Sequence, residues 1–338
     1  MKIIVDAMGG DFAPNPQIEG SVRASEELGV EIVLVGKREL IQEKLDDMGY
    51  AGDKISIRDA SEVIENDDEP ARAIRRKKDS SIVVAANMLK NGEGDALVST
   101  GATGGVLAAG LLIVGRIDGV LRPALAPTLP TDKGPAVLLD SGANADCKAA
   151  NLAQFGIMGS VYANNVLGKE NARVAIVNIG AEEHKGNELT REAYELLRKA
   201  PINFVGNIEG REIMDGDVDV IVCDGFVGNV ILKLTEGLAK TLMRNIKSMF
   251  MKNFLTKMCA LVLKGEFSEF KKRMDYSEYG GALLLGLKYP VVKGHGASDA
   301  KAVYSAIKQA EKIVSTNVVD KIKDGLKKME ENIDGTEG

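Results

Sequence analysis

The sequence predicts an α/β fold whose doubly wound, mostly parallel sheet is covered by helices in three layers. Short apolar runs rich in Val and Ile hardly alternate with polar residues, which is typical of strands buried on both faces. Stretches with helical periodicity lie between these runs, and alternating strands and helices favour a parallel sheet. The predicted strands are Ile3–Val5, Glu31–Val35, Ala96–Val98, Ala136–Leu139, Ala172–Val177 and Val218–Val222. The predicted helices include Pro16–Leu28, Cys147–Leu167 and Glu188–Lys199.

The chain has 338 residues, of which 43 are Lys or Arg and 49 are Asp or Glu, giving a net charge of −6. No repeat and no Pro- or Ser-rich linker marks a boundary, so residues 1–338 are expected to form a single large α/β domain. The mild acidity argues against a nucleic-acid binder, which usually carries a basic excess. Aromatic residues make up only 4% and Trp is absent, so platforms that stack bases are not expected.

Cysteine, histidine and apolar runs set further limits. Cys147, Cys223 and Cys259 are far apart and odd in number, so neither a disulfide framework nor a C-x-x-C metal site is expected. A reducing cytoplasm is the simplest setting for such a chain. The two histidines, His184 and His295, are too few for a multi-histidine metal site. The chain begins with a predicted strand, not a signal peptide, and no apolar run approaches the roughly 20 residues of a membrane-spanning helix.

Each predicted strand ends in a loop of glycines and polar residues. In parallel sheets, ligands bind beyond the carboxyl ends of the strands, so we expect these loops to converge on one crevice. The loop after Ala96–Val98 opens an apolar helix, and glycine amides, hydroxyls and a helix N-terminus together suit a phosphate. Alternatively, each glycine merely ends a strand and each Asp or Asn caps a helix. The candidate phosphate-binding residues of this loop are Ser99, Thr100, Gly101, Thr103 and Gly104.

Five other loops offer further candidates. Lys185 is a cation that suits a bound phosphate, and His184 and His295 are possible acids or second cations. The candidate substrate-binding residues in these loops are Asp6, Gly9, Gly10, Asp140, Gly142, Asn144, Asn178, Gly180, Gly225 and Gly228. The candidate catalytic residues are His184, Lys185, Asp224, Asn229 and His295.

A nucleotide-dependent dehydrogenase is one alternative function. The loop at 100–107 partly matches the Thr-Gly-x-x-Gly-x-x-Gly pattern of short-chain dehydrogenases, but Leu107 stands where the last glycine belongs. Tyr304 and Lys308 have the Tyr-x-x-x-Lys spacing of those enzymes, although a solvated helix face explains it more simply. The G-x-S-x-G nucleophile elbow is absent, so the loops favour direct attack by a bound anion, with catalysis by positioning and charge stabilisation.

Taken together, these loops resemble the bacterial phosphate acyltransferases of the PlsX type. The opening Val5-Asp6-Ala7-Met8-Gly9-Gly10-Asp11 matches that family's start. Four further motifs fit in order and spacing, so the resemblance spans roughly residues 1–325. These motifs are Ser99-Thr100-Gly101-Ala102-Thr103-Gly104-Gly105, Leu139-Asp140-Ser141-Gly142-Ala143-Asn144, Asn178-Ile179-Gly180-Ala181-Glu182 and Asp224-Gly225-Phe226-Val227-Gly228-Asn229.

The resemblance implies an enzyme that moves a long-chain acyl group from acyl carrier protein to inorganic phosphate. The acyl phosphate would feed a downstream glycerol-3-phosphate acyltransferase in phospholipid synthesis. The family's fold is similar to that of isocitrate and isopropylmalate dehydrogenases and of phosphate acetyltransferases. The resemblance also implies a homodimer, and it implies neither a metal nor an organic cofactor. On this hypothesis the loop at 99–105 and Lys185 hold phosphate. The side chains of three asparagines donate to phosphate or to the thioester oxyanion, and two aspartates hold these binding groups in place. The asparagines are Asn144, Asn178 and Asn229, and the aspartates are Asp6 and Asp224.

Residues 244–273 form a basic, apolar segment in an otherwise acidic chain. The segment holds eight Lys or Arg residues against two Glu, a charge of +6, and four of the eight Phe. Basic amphipathic helices with large apolar residues lie at membrane surfaces, and the same cations would suit an acidic carrier protein. We therefore predict a protruding amphipathic helical segment that docks a membrane or a carrier, against the alternative of a core helix with a charged outer face. A non-enzymatic membrane scaffold is the third function left open. The proposed docking residues are Phe250, Lys252, Phe254, Lys257, Met258 and Leu261.

Overall fold

A computed structural model describes residues 1–273 and 280–334 and confirms the predicted α/β fold. All six predicted strands are present, within one or two residues of the predicted bounds. The strands are β1 Lys2–Asp6, β2 Glu31–Gly36, β3 Ile55–Asp59, β4 Ala96–Ser99, β5 Ala124–Ala126, β6 Thr128–Thr131, β7 Gly134–Leu139, β8 Arg173–Asn178, β9 Asn203–Glu209, β10 Val220–Val222, β11 Ala282–Leu285 and β12 Val291–Lys293.

The helices pack on both faces of the strands. Two π-helical turns, Gly110–Val114 and Ala163–Leu167, extend α5 and α6, so the predicted helix at 147–167 is confirmed over most of its length. The helices are α1 Asn15–Glu27, α2 Arg38–Asp47, α3 Pro70–Arg76, α4 Ser81–Lys90, α5 Thr103–Ala109, α6 Ala149–Tyr162, α7 Glu188–Lys199, α8 Gly225–Phe250, α9 Phe254–Val262, α10 Lys264–Arg273, α11 Ala300–Ser315 and α12 Val318–Asp334.

The strands are divided between two sheets. The seven-stranded sheet has the order β3-β2-β1-β4-β12-β11-β5, and the five-stranded sheet has the order β6-β7-β10-β8-β9. Strand β11 is antiparallel to β12 and β5, and β6 is antiparallel to β7, whereas the other pairs are parallel. Both sheets are therefore mostly parallel, but the sequence patterns indicated one sheet.

The chain passes between the sheets at Pro127. Strand β5 ends one residue before it and β6 begins one residue after it. Proline has no N–H to donate and cannot extend a strand ladder in both directions, so the change of sheet falls there. The two sheets stay in contact, because Ser141 N after β7 donates to the Leu125 carbonyl of β5 at 3.0 Å.

The predicted amphipathic segment corresponds to the last part of α8 together with α9 and α10. Of the residues in α8 only Gly225 and Gly228 are buried, and α9 has no buried residue. The sequence spacing would place Met243, Phe250, Phe254, Met258 and Leu261 on one face of a single helix. That face is interrupted, because Asn253 starts a new helix by accepting from Thr256 N at 3.0 Å. Residues 274–279 and 335–338 of the predicted domain, and the side chains at 268, 269 and 271–273, lie outside the described residues. Within the described residues no helix is both long and apolar enough to span a bilayer. The single-domain prediction stays a prediction.

Candidate functional site

A cavity of about 290 Å³ lies where loops from the two sheets meet. Thr103 follows β4, and Lys293 and His295 come at and after the end of β12, all in the seven-stranded sheet. Ser141 and Gly142 follow β7 in the five-stranded sheet. The remaining lining residues are Leu125, Pro127, Thr128, Asn229, Leu232, Lys233, Glu236, Gly280, Gly281, Ala282, Gly294, Ser298 and Ala302. The expected convergence of strand-end loops is therefore found, although it joins two sheets.

The wall from the seven-stranded sheet is braced by the buried carboxylate of Asp6. Ser99 Oγ donates to Asp6 Oδ2 at 2.6 Å, and Thr100 Oγ1 donates to the Gly9 carbonyl at 2.6 Å. A Cβ on Gly9 would lie 2.6 Å from Asp6 Oδ2 and 2.7 Å from Gly101 N, so the loops after β1 and β4 approach too closely for any other residue. Burial raises the pKa of Asp6, and hydrogen bonds such as that from Ser99 lower it in part. These residues position the wall and do not line the cavity.

The predicted phosphate loop is used in the same way. Ser99 and Thr100 are each 1% exposed, and their hydroxyls already donate the hydrogen bonds that brace this wall. Gly104 packs against α3, because a Cβ there would lie 2.6 Å from Pro70 Cγ. Gly10 has a positive φ of +117°, which suits glycine. Only Thr103 of this loop lines the cavity.

The wall from the five-stranded sheet is organised by Asp140, which is 0% exposed. Its Oδ1 accepts from Leu125 N at 2.9 Å, and its Oδ2 accepts from Asn144 N at 2.6 Å and Asn144 Nδ2 at 2.9 Å. Gly142 N also donates to Oδ1, at 3.3 Å. Burial raises the pKa of Asp140 and these donors lower it. Because Leu125 belongs to the other sheet, this carboxylate fixes the two walls relative to each other.

The N-terminus of α8 packs directly onto the Asp140 loop. Asp224 caps the helix by accepting from Val227 N at 2.8 Å. A Cβ on Gly228 would lie 1.9 Å from the Asp140 carbonyl oxygen, and one on Gly225 would lie 2.6 Å from the Asn144 carbonyl oxygen. These two glycines therefore permit the close approach that brings Asn229 and Lys233, further along α8, to the cavity.

Lys293 is one of the lining residues that the sequence patterns missed. It ends β12 opposite Ser99 of β4, is 8% exposed and donates from Nζ to the Gly294 carbonyl. The pKa of Lys293 is lowered to about 8, mainly by burial and further by the nearby charge of Lys233. The available signal was two valines followed by Lys-Gly-His-Gly, the same pattern of apolar run and polar glycine loop seen elsewhere.

The electrostatics of the cavity suit an anion. Lys233 and Lys293 are its cations, and among the lining residues in the described chain Glu236 is the one carboxylate. Lys233 Nζ lies 3.0 Å from Glu236 Oε2. Burial is the main cause that lowers the pKa of His295. Glu236 opposes this shift and the nearby Lys293 and Lys233 add to it, so the neutral imidazole is favoured near pH 7.

The loop after β8 lies apart from this cavity. Asn178 Nδ2 donates to the Lys185 carbonyl at 3.1 Å and to Asn207 Oδ1 of β9 at 3.0 Å, so this amide ties its own loop to the neighbouring strand. Gly180 packs against the Lys185 side chain, and His184 is exposed. None of the described residues at 178–187 lines the cavity. The predicted roles of Asn178, Gly180, His184 and Lys185 stay predictions.

The two cysteines near the crevice have environments that suppress reactivity. Burial raises the pKa of the Cys147 thiol to about 11, and it raises that of Cys223 well above its ordinary value. Cys223 Sγ also donates to the Asp140 carbonyl at 3.5 Å. Because the thiolate is the nucleophile, neither environment favours a covalent cysteine mechanism.

Comparison with known proteins extends these observations. The family model described as "Fatty acid synthesis protein" matches residues 1–321. The phosphate acyltransferase of Alkaliphilus oremlandii is 52% identical over 326 residues, covering 96% of this chain and 97% of that protein. The phosphate acyltransferase of Clostridium novyi is 49% identical over 324 residues, with 96% and 98% coverage. Among solved structures, a phosphotransacetylase from Streptococcus pyogenes superposes with a TM-score of 0.59 at 17% identity, over 93% of this chain and 94% of that one.

The α/β fold places a cavity with two cations between its sheets, an arrangement that suits an enzyme with an anionic substrate. The sequence match over nearly the whole length of the chain narrows this class of protein to one family. The chain belongs to the phosphate acyltransferase (PlsX) family, and it is an acyltransferase of fatty acid and phospholipid synthesis. Of the three functions left open by the sequence patterns, this membership favours the acyltransferase over the dehydrogenase and the scaffold.

Proposed function

We propose that this enzyme transfers a long-chain acyl group from the thioester of acyl carrier protein to inorganic phosphate. The observation that carries the proposal is a buried lysine, Lys293, in a cavity lined by a second cation, hydroxyls and the Asn229 amide. A phosphate anion suits a cavity in which two cations outnumber the single carboxylate of Glu236, and the lining donors suit the oxyanion that forms on the thioester carbonyl. The product is an acyl phosphate, which supplies a downstream glycerol-3-phosphate acyltransferase.

Lys293 is the proton donor that suits this reaction best. A phosphate oxygen attacks the carbonyl carbon, the C–O bond forms, and the C–S bond then breaks to release a thiolate. The thiolate takes a proton from the Lys293 ammonium, and the amine recovers one from the hydrogen phosphate. A pKa of about 8 is close to the roughly 8.5 of a thiol, which favours transfer in this direction with little barrier. His295, with its lowered pKa, is left to orient phosphate or the leaving group.

The direct test is incubation of the enzyme with palmitoyl-carrier protein and inorganic phosphate. We expect acyl phosphate, trapped by hydroxylamine as the hydroxamate, and release of one carrier thiol for each acyl phosphate formed. Release of the thiol without acyl phosphate would show hydrolysis instead, and it would exclude the proposed transfer.

Two candidate phosphate lysines, Lys233 in the cavity and Lys185 on the loop after β8, lead to opposite predictions. If phosphate binds in the cavity between the sheets, Lys233→Ala raises the KM for phosphate by at least tenfold, since a charged hydrogen bond contributes about 1.5–3 kcal/mol. Lys185→Ala then leaves both the KM for phosphate and kcat unchanged. Steady-state kinetics with varied phosphate measure this. The reverse outcome would place phosphate on the loop after β8.

Exposed apolar residues on α8 support a homodimer. Val230, Leu234, Leu238 and Leu242 follow one another at intervals of four, and each is at least half exposed. Helical residues four apart lie on neighbouring turns of one side, so they form a continuous apolar stripe. A stripe of this length on an isolated helix is typical of an interface, and a second copy of α8 packed against it would bury it.

The tip formed by α9 supports peripheral membrane contact from the cytoplasmic side. Phe254 is 77% exposed and Val262 is 82% exposed, and Leu255, Met258 and Leu261 are exposed beside them. Lys252 and Lys257 lie in the same short stretch. Exposed large apolar side chains beside cations suit insertion into an anionic membrane surface.

Vesicle flotation tests this membrane contact. We expect the wild type to float with anionic phospholipid vesicles at low salt, and flotation to weaken as salt screens the lysines. Phe254→Glu should lower the partition coefficient at least roughly tenfold, because it removes about 1.5–3 kcal/mol of apolar burial. Leu40→Glu, at an exposed position of α2, is the matched control and should float as the wild type does. Equal flotation of all three proteins would contradict insertion by the tip.

A further inference from the structure

A buried pair of polar side chains, Tyr162 and Gln309, lies behind the cavity and takes no part in the proposed proton transfer. Tyr162 ends α6 and Gln309 lies in α11, and both are buried. Gln309 Nε2 donates to the Tyr162 hydroxyl at 2.8 Å. Because α6 packs on the five-stranded sheet and α11 packs on the seven-stranded sheet, this hydrogen bond ties the two halves of the core together.

On one side the pair holds a cavity wall that belongs to the seven-stranded sheet. Gly281 N donates to Gln309 Oε1 at 2.8 Å, and both Gly280 and Gly281 line the cavity. A Cβ on Gly280 would lie 2.7 Å from Gln309 Oε1, and one on Gly281 would lie 2.5 Å from the Lys293 carbonyl oxygen. The Gln309 amide therefore sets the position of the backbone that packs directly against Lys293.

On the other side the pair meets the wall from the five-stranded sheet. Thr128 of β6 lines the cavity, and its buried Oγ1 has no partner of good hydrogen-bond geometry among the described residues. Burial raises the pKa of the Tyr162 hydroxyl, and the Gln309 amide and the facing Thr128 hydroxyl lower it in part. A contiguous row of polar groups therefore runs from Gly281 through Gln309 and Tyr162 to Thr128, with a lining residue at each end.

We propose that Gln309 and Tyr162 are positioning residues of the acyl transfer, which fix the distance between the two cavity walls and close the backbone beside Lys293 to water. The inference rests on the proposed function, which gives Lys293 its role. Neither Gln309 nor Tyr162 lines the cavity, so both act through Gly281 and Thr128. A buried amide with both ends bonded holds one geometry, because any other leaves a buried polar group without a partner.

The variant Gln309→Met tests the proposal by removing both hydrogen bonds of the amide. Met retains the unbranched length of glutamine but offers neither the acceptor for Gly281 N nor the donor for the Tyr162 hydroxyl. We expect kcat for acyl phosphate formation to fall at least about tenfold, since a shift of about 1 Å at a site can cost 100-fold in rate. Tyr162→Phe removes a single oxygen and should also lower kcat, so it carries the test should Gln309→Met fail to fold.

A second buried glutamine provides the matched control. Gln154 of α6 accepts from Leu121 N and donates to the Gly119 carbonyl, each at 2.9 Å, and none of these three residues lines the cavity. Gln154→Met therefore removes two comparable buried hydrogen bonds. We expect it to lower the unfolding midpoint and to leave kcat unchanged.

The pKa of Lys293 is a readout that does not depend on turnover. Competitive labelling of the amine with acetic anhydride over a range of pH, followed by mass spectrometry of the peptide, measures it. We expect a pKa of about 8 in the wild type and in Gln154→Met. In Gln309→Met and Tyr162→Phe it should rise toward 10.5, because water that reaches the amine stabilises its charged form. The charged or titratable groups that face Lys293 are unchanged in every variant, and they are Asp6, Asp11, Lys233 and His295.

Two results would overturn the inference. The first is a kcat or a Lys293 pKa in Gln309→Met that matches that of Gln154→Met, which would make the pair merely structural. The second comes from the double variant of Tyr162→Phe with Gln309→Met, which should lose no more activity than Gln309→Met alone if the two act as a unit. Losses that multiply would show that they act separately. A wild type that forms no acyl phosphate would contradict the proposed function instead, and the Lys293 pKa values would still decide whether the pair closes the wall.

Discussion

Lys293→Met is expected to lower kcat by about 10²–10³ and at the same time to stabilise the folded enzyme. Removing one group that stabilises developing charge typically costs a factor of this size. Met retains most of the length and apolar volume of the lysine stem, so the neighbouring Ser298 and Gly294 should keep their places. A loss of activity without a loss of fold is therefore the signature expected of a catalytic cation in a buried site.

The expected gain in stability comes from removing a buried charge. Folding lowers the pKa of Lys293 from 10.5 to about 8, so below pH 8 the lysine is protonated in both states and its burial cost is fully present. Between pH 8 and 10.5 the folded state sheds the proton, and the cost is progressively relieved. The stabilisation by Lys293→Met should thus be greatest below pH 8, at about 3 kcal/mol, and vanish above pH 10.5.

Denaturant unfolding at pH 7 and at pH 10, with kcat measured on the same preparations, checks both parts. Lys240→Met, which removes an exposed lysine from α8, is the control and should change neither the unfolding midpoint nor its pH dependence. In the wild type, kcat should fall as pH rises through about 8, because the proton donor is lost. A Lys293→Met enzyme that keeps wild-type kcat would remove Lys293 from the chemistry.

Gly228→Ala is expected to destabilise the enzyme by about 1–3 kcal/mol and to lower kcat about 100-fold. The new Cβ would lie 1.9 Å from the Asp140 carbonyl oxygen and 2.9 Å from Cys223 Sγ. Neither neighbour is the free end of a flexible side chain, so the backbone of α8 must move away. That movement displaces Asn229 and Lys233 from the cavity, and a shift of about 1 Å at a site can cost 100-fold in rate.

The same helix supplies the control for this substitution. A Cβ added to Gly237 would have no neighbouring atom within 4 Å, so Gly237→Ala meets no steric obstacle. Alanine is favoured over glycine in helices by about 1 kcal/mol, and Gly237→Ala should therefore raise the free energy of unfolding and leave kcat unchanged. Chemical denaturation of both variants separates the steric effect from helix propensity. If Gly228→Ala also gains stability, the close packing of α8 on the Asp140 loop is wrong.

Strongly apolar strands were predictable because burial on both faces removes polar alternation. Strands β1, β4 and β7 carry that signal with Val, Ile and Leu, whereas β5 is Ala-Leu-Ala and β6 is Thr-Leu-Pro-Thr, so neither shows it. Missing them also hid the transfer to a second sheet at Pro127. The break at Asn253 was missed because the apolar spacing from Phe250 onward continues across it, and only the capping contacts with Thr256 reveal a new helix.

The sequence by itself determined the α/β fold class, the convergence of strand-end loops on one cavity, and the family. Those properties follow from local patterns and from motifs that can be recognised directly in the order of residues along the chain. The tertiary structure alone decided what each loop does. In it, the side chains of Asp6, Ser99, Thr100 and Asp140 hold the walls of the cavity in position, and Lys293 lies in the cavity. The reason is physical: burial, which lowers the pKa of Lys293 and commits the hydroxyls to buried contacts, depends on neighbours far away in the chain.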